Sequence, residues 1–229
     1  MGSATIIRTD QDIQTDVLDE LTWEPRVQPH EIGVTVTEGV VTLTGWVDGY
    51  AKKWAAERAA HRVPRVRAVA NDLAVRLPTS ARRTDQEVAT AVVRALEWDA
   101  FVAVEELDVT VADGWVTLRG QVEWEYQRRA ADRAVRQLTG VRGVSNGIAV
   151  RPRATAPGPE VAAGILRALE RGVAADTVRV SVDVYGDTVV LDGVVRSTAQ
   201  REEAERAAWS APGVTEVHNR LAVRTTPAG

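Results

Sequence analysis

Apolar residues along this chain follow two alternating rhythms, one helical and one strand-like, and the same succession of rhythms occurs three times. Each copy opens with apolar residues at helical offsets: Ile13, Val17, Leu18, Leu21; Val88, Val92, Val93, Leu96; Val161, Ile165, Leu166, Leu169. Offsets of four, five and eight residues place them on one helical face. Thr9 or Asp10, and Thr84 or Asp85, are the candidate N-caps of the first two helices. Period-two alternation follows in Ile32, Val34, Val36; Leu107, Val109, Val111; Val180, Val182, Val184, the pattern of a half-buried strand. The dipeptides Glu38-Gly39, Asp113-Gly114 and Gly186-Asp187 then accept the positive φ of a tight hairpin.

The second strand sets Val41, Leu43, Gly45, Val47 on one face, matched by Val116, Leu118, Gly120, Val122 and by Val189, Leu191, Gly193, Val195. An inward glycine allows another backbone to come close. The helix that follows is rich in small residues (Ala55, Ala56, Ala59; Ala130, Ala131, Ala134; Ala204, Ala207, Ala208), so it is predicted to lie over that glycine. The third strand reads Val69, Asn71, Leu73, Val75; Val144, Asn146, Ile148, Val150; Val217, Asn219, Leu221, Val223, with the asparagine inward by parity. A buried amide needs hydrogen-bond partners, so these asparagines read either as polar clamps on a loop or helix end or as ligand contacts.

The copies are in strict register. From Ile13 to Gly45 to Asn71, from Val88 to Gly120 to Asn146, and from Val161 to Gly193 to Asn219 the intervals are 32 and 26 residues every time. The predicted fold is α+β: three tandem αββαβ domains at residues 9–77, 84–152 and 158–225, each with two helices packed on a three-stranded sheet. The stretches 77–81 and 151–159, rich in proline and small residues, are predicted spacers. Units of roughly 65 to 70 residues lie near the lower limit for an independent core, so packing of one repeat on the next is expected.

The αββαβ order, the hairpins "EGVVTLTGWV", "DGWVTLRGQV" and "GDTVVLDGVV", and the strand endings "VPRVRAVANDLAV", "GVRGVSNGIAV" and "GVTEVHNRLAV" resemble the BON domain, named for bacterial osmotic-stress and nodulation proteins. The resemblance covers nearly the whole chain as three tandem copies. It implies a non-enzymatic, stress-associated binding or scaffold protein. Phospholipid association has been proposed for several members and potassium binding for a cytoplasmic one, so an anionic phospholipid surface and a potassium ion are the partners it implies. The family offers no catalytic residues to carry over.

Composition narrows the chemistry. Net charge is −4 over the chain and −2, 0 and −2 over residues 1–78, 79–153 and 154–229, which argues against nucleic acid as a partner. With no cysteine, disulfides and thiolate chemistry are excluded. His30, His61 and His218 occupy non-equivalent repeat positions, without the spacing of a metal site or proton relay. Neither a phosphate-binding glycine loop nor a nucleophile elbow is present, and the expectation is no catalytic residue, no metal and no cofactor. No run of about 18 apolar residues is found and no secretory signal is visible. The expected location is cytoplasmic, or periplasmic should a native leader have been removed ahead of Met1-Gly2-Ser3.

Two features stand outside the core pattern. Seven tryptophans accompany a single phenylalanine. Trp23 and Trp98 hold equivalent positions just past the first helix, where the third copy has Arg171; Trp46, Trp54, Trp115, Trp124 and Trp209 have no aromatic counterparts in the other copies. They read either as inter-repeat or protein–protein contacts or as a membrane-interface surface. Arg129, Arg133 and Arg136 recur at helical spacing beside Arg128, and the matching segment of the first copy carries Lys52, Lys53, Arg58 and Arg62. Such a stripe is either a solvated helix face or a surface for anionic headgroups. Lipid-binding candidates are therefore Arg128, Arg129, Arg133, Arg136, Lys52, Lys53 and Trp124, and the structural repeat anchors are Gly45, Gly120, Gly193, Asn71, Asn146 and Asn219.

Overall fold

The computed structural model describes residues 9–102, 104–152, 158–172, 179–195 and 198–223. Residues 153–157 of the second spacer and the side chains of Leu169 and Arg171 lie outside this set. Repeat one comprises α1 (Asp10–Trp23), β1 (Ile32–Thr37), β2 (Val40–Val47), α2 (Tyr50–Arg62), and a third strand in two pieces, β3 (Ala68–Asn71) and β4 (Ala74–Val75). Repeat two runs α3 (Asp85–Trp98), β5 (Leu107–Ala112), β6 (Trp115–Val122), α4 (Glu125–Arg136), β7 (Gly143–Val150). Repeat three runs α5 (Gly158–Gly172), β8 (Arg179–Tyr185), β9 (Thr188–Val195), α6 (Thr198–Trp209), β10 (Glu216–Val223).

In every repeat the second strand is central. It pairs antiparallel with the first through the hairpin and parallel with the third, and a parallel partner requires a crossover, which the second helix supplies. Ile13, Val17 and Leu21, or Val88, Val92 and Leu96, pack on Val41 and Leu43 or Val116 and Leu118 to make one core per repeat. The first-helix face is narrower than the sequence suggested. Leu18, Val93 and Leu166 are exposed, because a five-residue offset turns a side chain about 140° from its starting direction and only the four-residue steps stay on the core side.

Thr9 and Thr84 are the N-caps, each in a reciprocal capping box with Asp12 or Glu87. Asp10 and Asp85 have a different task. Asp10 accepts from the turn N–H groups of Glu38 (2.7 Å) and Gly39 (3.0 Å), and Asp85 accepts from Asp113 (2.9 Å) and Gly114 (2.8 Å). Repeat three has Gly158 at that position, and its turn is held by Asp187, which accepts from the Thr215 hydroxyl. Removing the half-buried carboxylate with Asp85→Ala leaves two turn N–H groups without their charged acceptor, and a loss of about 1 to 3 kcal/mol is expected in denaturant melts of the chain.

The glycines correct one expectation. Gly45, Gly120 and Gly193 have φ of 112°, 129° and 134°, a region closed to ordinary side chains. A Cβ on Gly45 or Gly120 would sit 2.1 Å from the carbonyl oxygen of Glu31 or Glu106, the residue just before the first strand. The close neighbour is therefore the chain entering the hairpin, rather than the alanine helix. Of those alanines, Ala55, Ala56, Ala59, Ala130, Ala131, Ala204 and Ala208 are buried.

The asparagines hold the second helix onto the third strand. Asn71 donates through Nδ2 to the Lys53 carbonyl (3.2 Å) and to Glu57 (2.9 Å), and accepts at Oδ1 from the Leu73 N–H (3.4 Å). Asn219 repeats this with Arg201, Glu205 and Leu221. Asn146 bonds to the Arg128 carbonyl and the Ile148 N–H, while the residue matching Glu57 is the shorter Asp132, which pairs with Arg136. All three amides are satisfied by the fold.

Candidate functional site

The second helices of the three repeats meet one another, and the residues at the contacts are related by the repeat register. His61, Arg136 and Trp209 share one position; Trp54, Arg129 and Glu202 share another; Lys53, Arg128 and Arg201 a third. Arg136 of α4 lies 4.2 Å over the Trp54 ring of α2. Trp209 of α6 lies under Arg128 of α4 at 5.6 Å. His61 of α2 is surrounded by Glu202 and Arg201 of α6 as well as by Glu57 and Arg58 of its own helix, and burial holds its pKa below the usual imidazole value. Arg58 closes the same contact with an ion pair to Glu202 at 2.6 Å. Repeat three thus touches both repeat one and repeat two.

This ring redistributes the predicted basic stripe. Arg136 and Arg128 are drawn into inter-repeat contacts, Arg136 pairing with Asp132 and Arg128 with Glu125 at 2.7 Å. Arg129 stays exposed but reaches Glu125 at 3.0 Å, and Arg133 is exposed with no acidic partner among the described residues. Glu125 is buried in the first turn of α4, where the helix N-terminus favours a carboxylate, and it serves two arginines at once. In repeat one, Lys52 pairs with Asp48 at 2.7 Å and Lys53 donates to the Leu73 carbonyl at 2.9 Å. The helix faces of repeats one and two therefore differ: the lysines of repeat one are engaged within their own repeat.

What remains open is a groove of ≈ 600 Å³ between α4 and α6. Its cationic lining is Arg129, Arg133 and Arg206, and its aromatic lining is Phe101, Trp124, Tyr126 and Trp209. Phe101 and Tyr126 stack edge to face at 6.0 Å while remaining 58% and 55% exposed, so a large part of the wall is aromatic surface facing water. Trp124 sits at the N-cap of α4, its backbone N–H donated to the Gln127 side-chain oxygen at 2.9 Å. Sequence reading singled out Arg129, Arg133, Trp124 and Trp209 but missed Phe101, Tyr126 and Arg206. Arg206 was visible in principle, since it shares the repeat position of Arg58 and Arg133.

The other tryptophans divide. Trp54 and Trp209 are half-buried between repeats, whereas Trp23 and Trp98 stand 84% and 88% exposed at the ends of α1 and α3. Trp115 and Trp46 face away from the helices on the outer side of their sheets, Trp115 bonded to Ser145 and Trp46 beneath Arg76. His30 and His218 lie at the surface beside Glu31 and Glu216. Among the described residues no group of three or more His, Asp and Glu is placed to hold a metal ion.

The BON domain family model matches residues 9–76, 84–152 and 159–225. No curated protein matches the chain. Two solved structures of CdsD, a structural protein of the type III secretion system of Chlamydia trachomatis, align with it at 14% identity. They cover 94% and 98% of this chain and 93% and 100% of their own, with TM-scores of 0.27 and 0.26, too low for any inference from them.

Proposed function

This chain belongs to the BON-domain family, and from that premise we propose that it is a non-enzymatic, stress-associated binding scaffold that engages anionic phospholipid. One observation carries the reading: Arg129, Arg133 and Arg206 converge with exposed Phe101 and Tyr126 on one groove. Guanidinium groups bind phosphate oxygens bidentately, and aromatic rings favour the boundary between headgroups and chains, so the two residue types together suit a phospholipid better than either does alone. No helix among the described residues is long and apolar enough to cross a membrane. The reading moves the lipid contact away from Lys52, Lys53 and Arg136, which are occupied within the fold.

Co-sedimentation with vesicles tests it. The chain is expected to pellet with phosphatidylglycerol-containing vesicles at low salt, to stay in solution with phosphatidylcholine alone, and to be released as salt rises, since exposed charges are screened. Reversing two charges with Arg133→Glu and Arg206→Glu is expected to weaken vesicle binding by about tenfold or more, at about 1 kcal/mol per cation near the surface. Equal pelleting of parent and double variant, or none with anionic vesicles at low salt, overturns the proposal.

A further inference from the structure

The groove lies where the charge pattern of the helix ring fails to repeat. Where repeat one meets repeat three, Arg58 is paired with Glu202. The register position of Arg58 is held in α6 by Arg206, and that of Glu202 is held in α4 by Arg129. The corresponding pair between repeats three and two is therefore two arginines, and both line the groove. Arg133 adds a third cation, and the one acid in the lining, Glu125, is already shared by Arg128 and Arg129. Arg206 does have Glu203 at 2.7 Å, but that carboxylate lies outside the lining. Like charges lining one groove repel, and an anion placed among them relieves that repulsion.

From this we infer that the groove is a discrete site for one molecule of a phosphate-headed amphiphile, an anionic phospholipid taken singly rather than as a bilayer surface. Its phosphate bridges Arg206 and Arg129, supported by Arg133, and its apolar part lies on Phe101, Tyr126 and Trp209. The ≈ 600 Å³ volume falls within the usual range for small-ligand sites. Since α4 supplies one wall and α6 the other, an occupied site also fastens repeat three to repeat two. The inference rests on the phospholipid reading and narrows it to a stoichiometric site.

Calorimetric titration of the full chain with dihexanoyl phosphatidylglycerol below its micellar concentration is the test, with dihexanoyl phosphatidylcholine and inorganic phosphate as comparisons. Saturable binding of one phosphatidylglycerol per chain is expected, weaker by about tenfold or more for either comparison, since each lacks the net charge or the apolar part. Arg206→Glu and, separately, Phe101→Ala are each expected to reduce that binding by about tenfold or more while the free chain keeps its fold by circular dichroism, both side chains being exposed. Inorganic phosphate bound as tightly as the lipid would make the groove a bare anion site and overturn the inference. Vesicle binding without saturable monomer binding also overturns it and leaves the surface reading standing, whereas the absence of vesicle binding removes that reading too.

Discussion

Gly120→Val is expected to lower the stability of the second repeat by about 3 kcal/mol or more, a large share of the roughly 5 to 15 kcal/mol that holds a typical domain folded. Two independent costs add. At φ of 129° a side chain is strained by about 1 to 3 kcal/mol. The new Cβ would also lie 2.1 Å from the Glu106 carbonyl oxygen and 3.1 Å from the Leu107 Cα, atoms of a backbone that cannot swing aside as a flexible side chain would, and overpacking of that kind costs about 1 to 3 kcal/mol more. Gly164→Ala in α5 makes an opposite-sign control. Nothing lies within 4 Å of the added methyl, and exchanging an in-helix glycine for alanine stabilises by about 0.5 to 1 kcal/mol. Hydrogen exchange under increasing denaturant reads each repeat separately, which matters because a three-domain chain need not unfold in one step. Equal protection of β5 to β7 in parent and Gly120→Val would show that the Glu106 carbonyl does not abut this position.

The same glycine shows how far the sequence could be read. Alternation of apolar residues made the position part of the inner face, and the repeat register marked it as special, both of which are local signals. Which backbone comes close depends on where the segment before the first strand turns, and Glu31 and Glu106 carry no apolar periodicity that would locate that turn. The asparagines were easier, because a polar residue at an inward strand position demands partners, and the nearest groups are those of the helix that crosses over the sheet. Leu18 and Val93 were misplaced because an apolar residue at a five-residue offset counts towards the periodicity without reaching the core.

Contacts between repeats were harder to read for a physical reason. Within a repeat, burial repeats its apolar signature in every copy, while the contacts of the helix ring are made by residues that differ from copy to copy: histidine with glutamate, arginine with tryptophan, tryptophan with arginine. A ring of like repeats closed by unlike pairs has three chemically distinct junctions. Two are joined by stacking of a guanidinium on an indole, and one by the Arg58–Glu202 ion pair. Because α2 and α6 also touch, the repeats do not form a simple linear stack in which each meets only its sequence neighbour, and loosening one junction should be felt at the other two. The groove arises at the junction where matching positions put arginine against arginine, so the candidate site is a consequence of divergence between copies, which no single-repeat motif reports.

Trp209→Ala is the second substitution with a large expected effect, and it probes that junction directly. Trp209 packs against the cores of both repeat two and repeat three, lies under the Arg128 guanidinium and forms part of the groove wall. Removing a packed indole typically costs about 3 to 5 kcal/mol in a full core, and about 2 to 3 kcal/mol is expected for this half-buried ring. The loss falls on the docking of α6 against α4 more than on either sheet. Calorimetric melting should therefore show repeat three leaving the cooperative transition and unfolding at lower temperature, with repeats one and two changed less. Phosphatidylglycerol binding should fall as well, because one wall of the groove goes with the ring. Trp98→Ala removes the same side chain from a position 88% exposed and is expected to shift stability by no more than about 0.5 kcal/mol. Identical melting of Trp209→Ala and Trp98→Ala would mean that repeat three is not docked on repeat two through this residue.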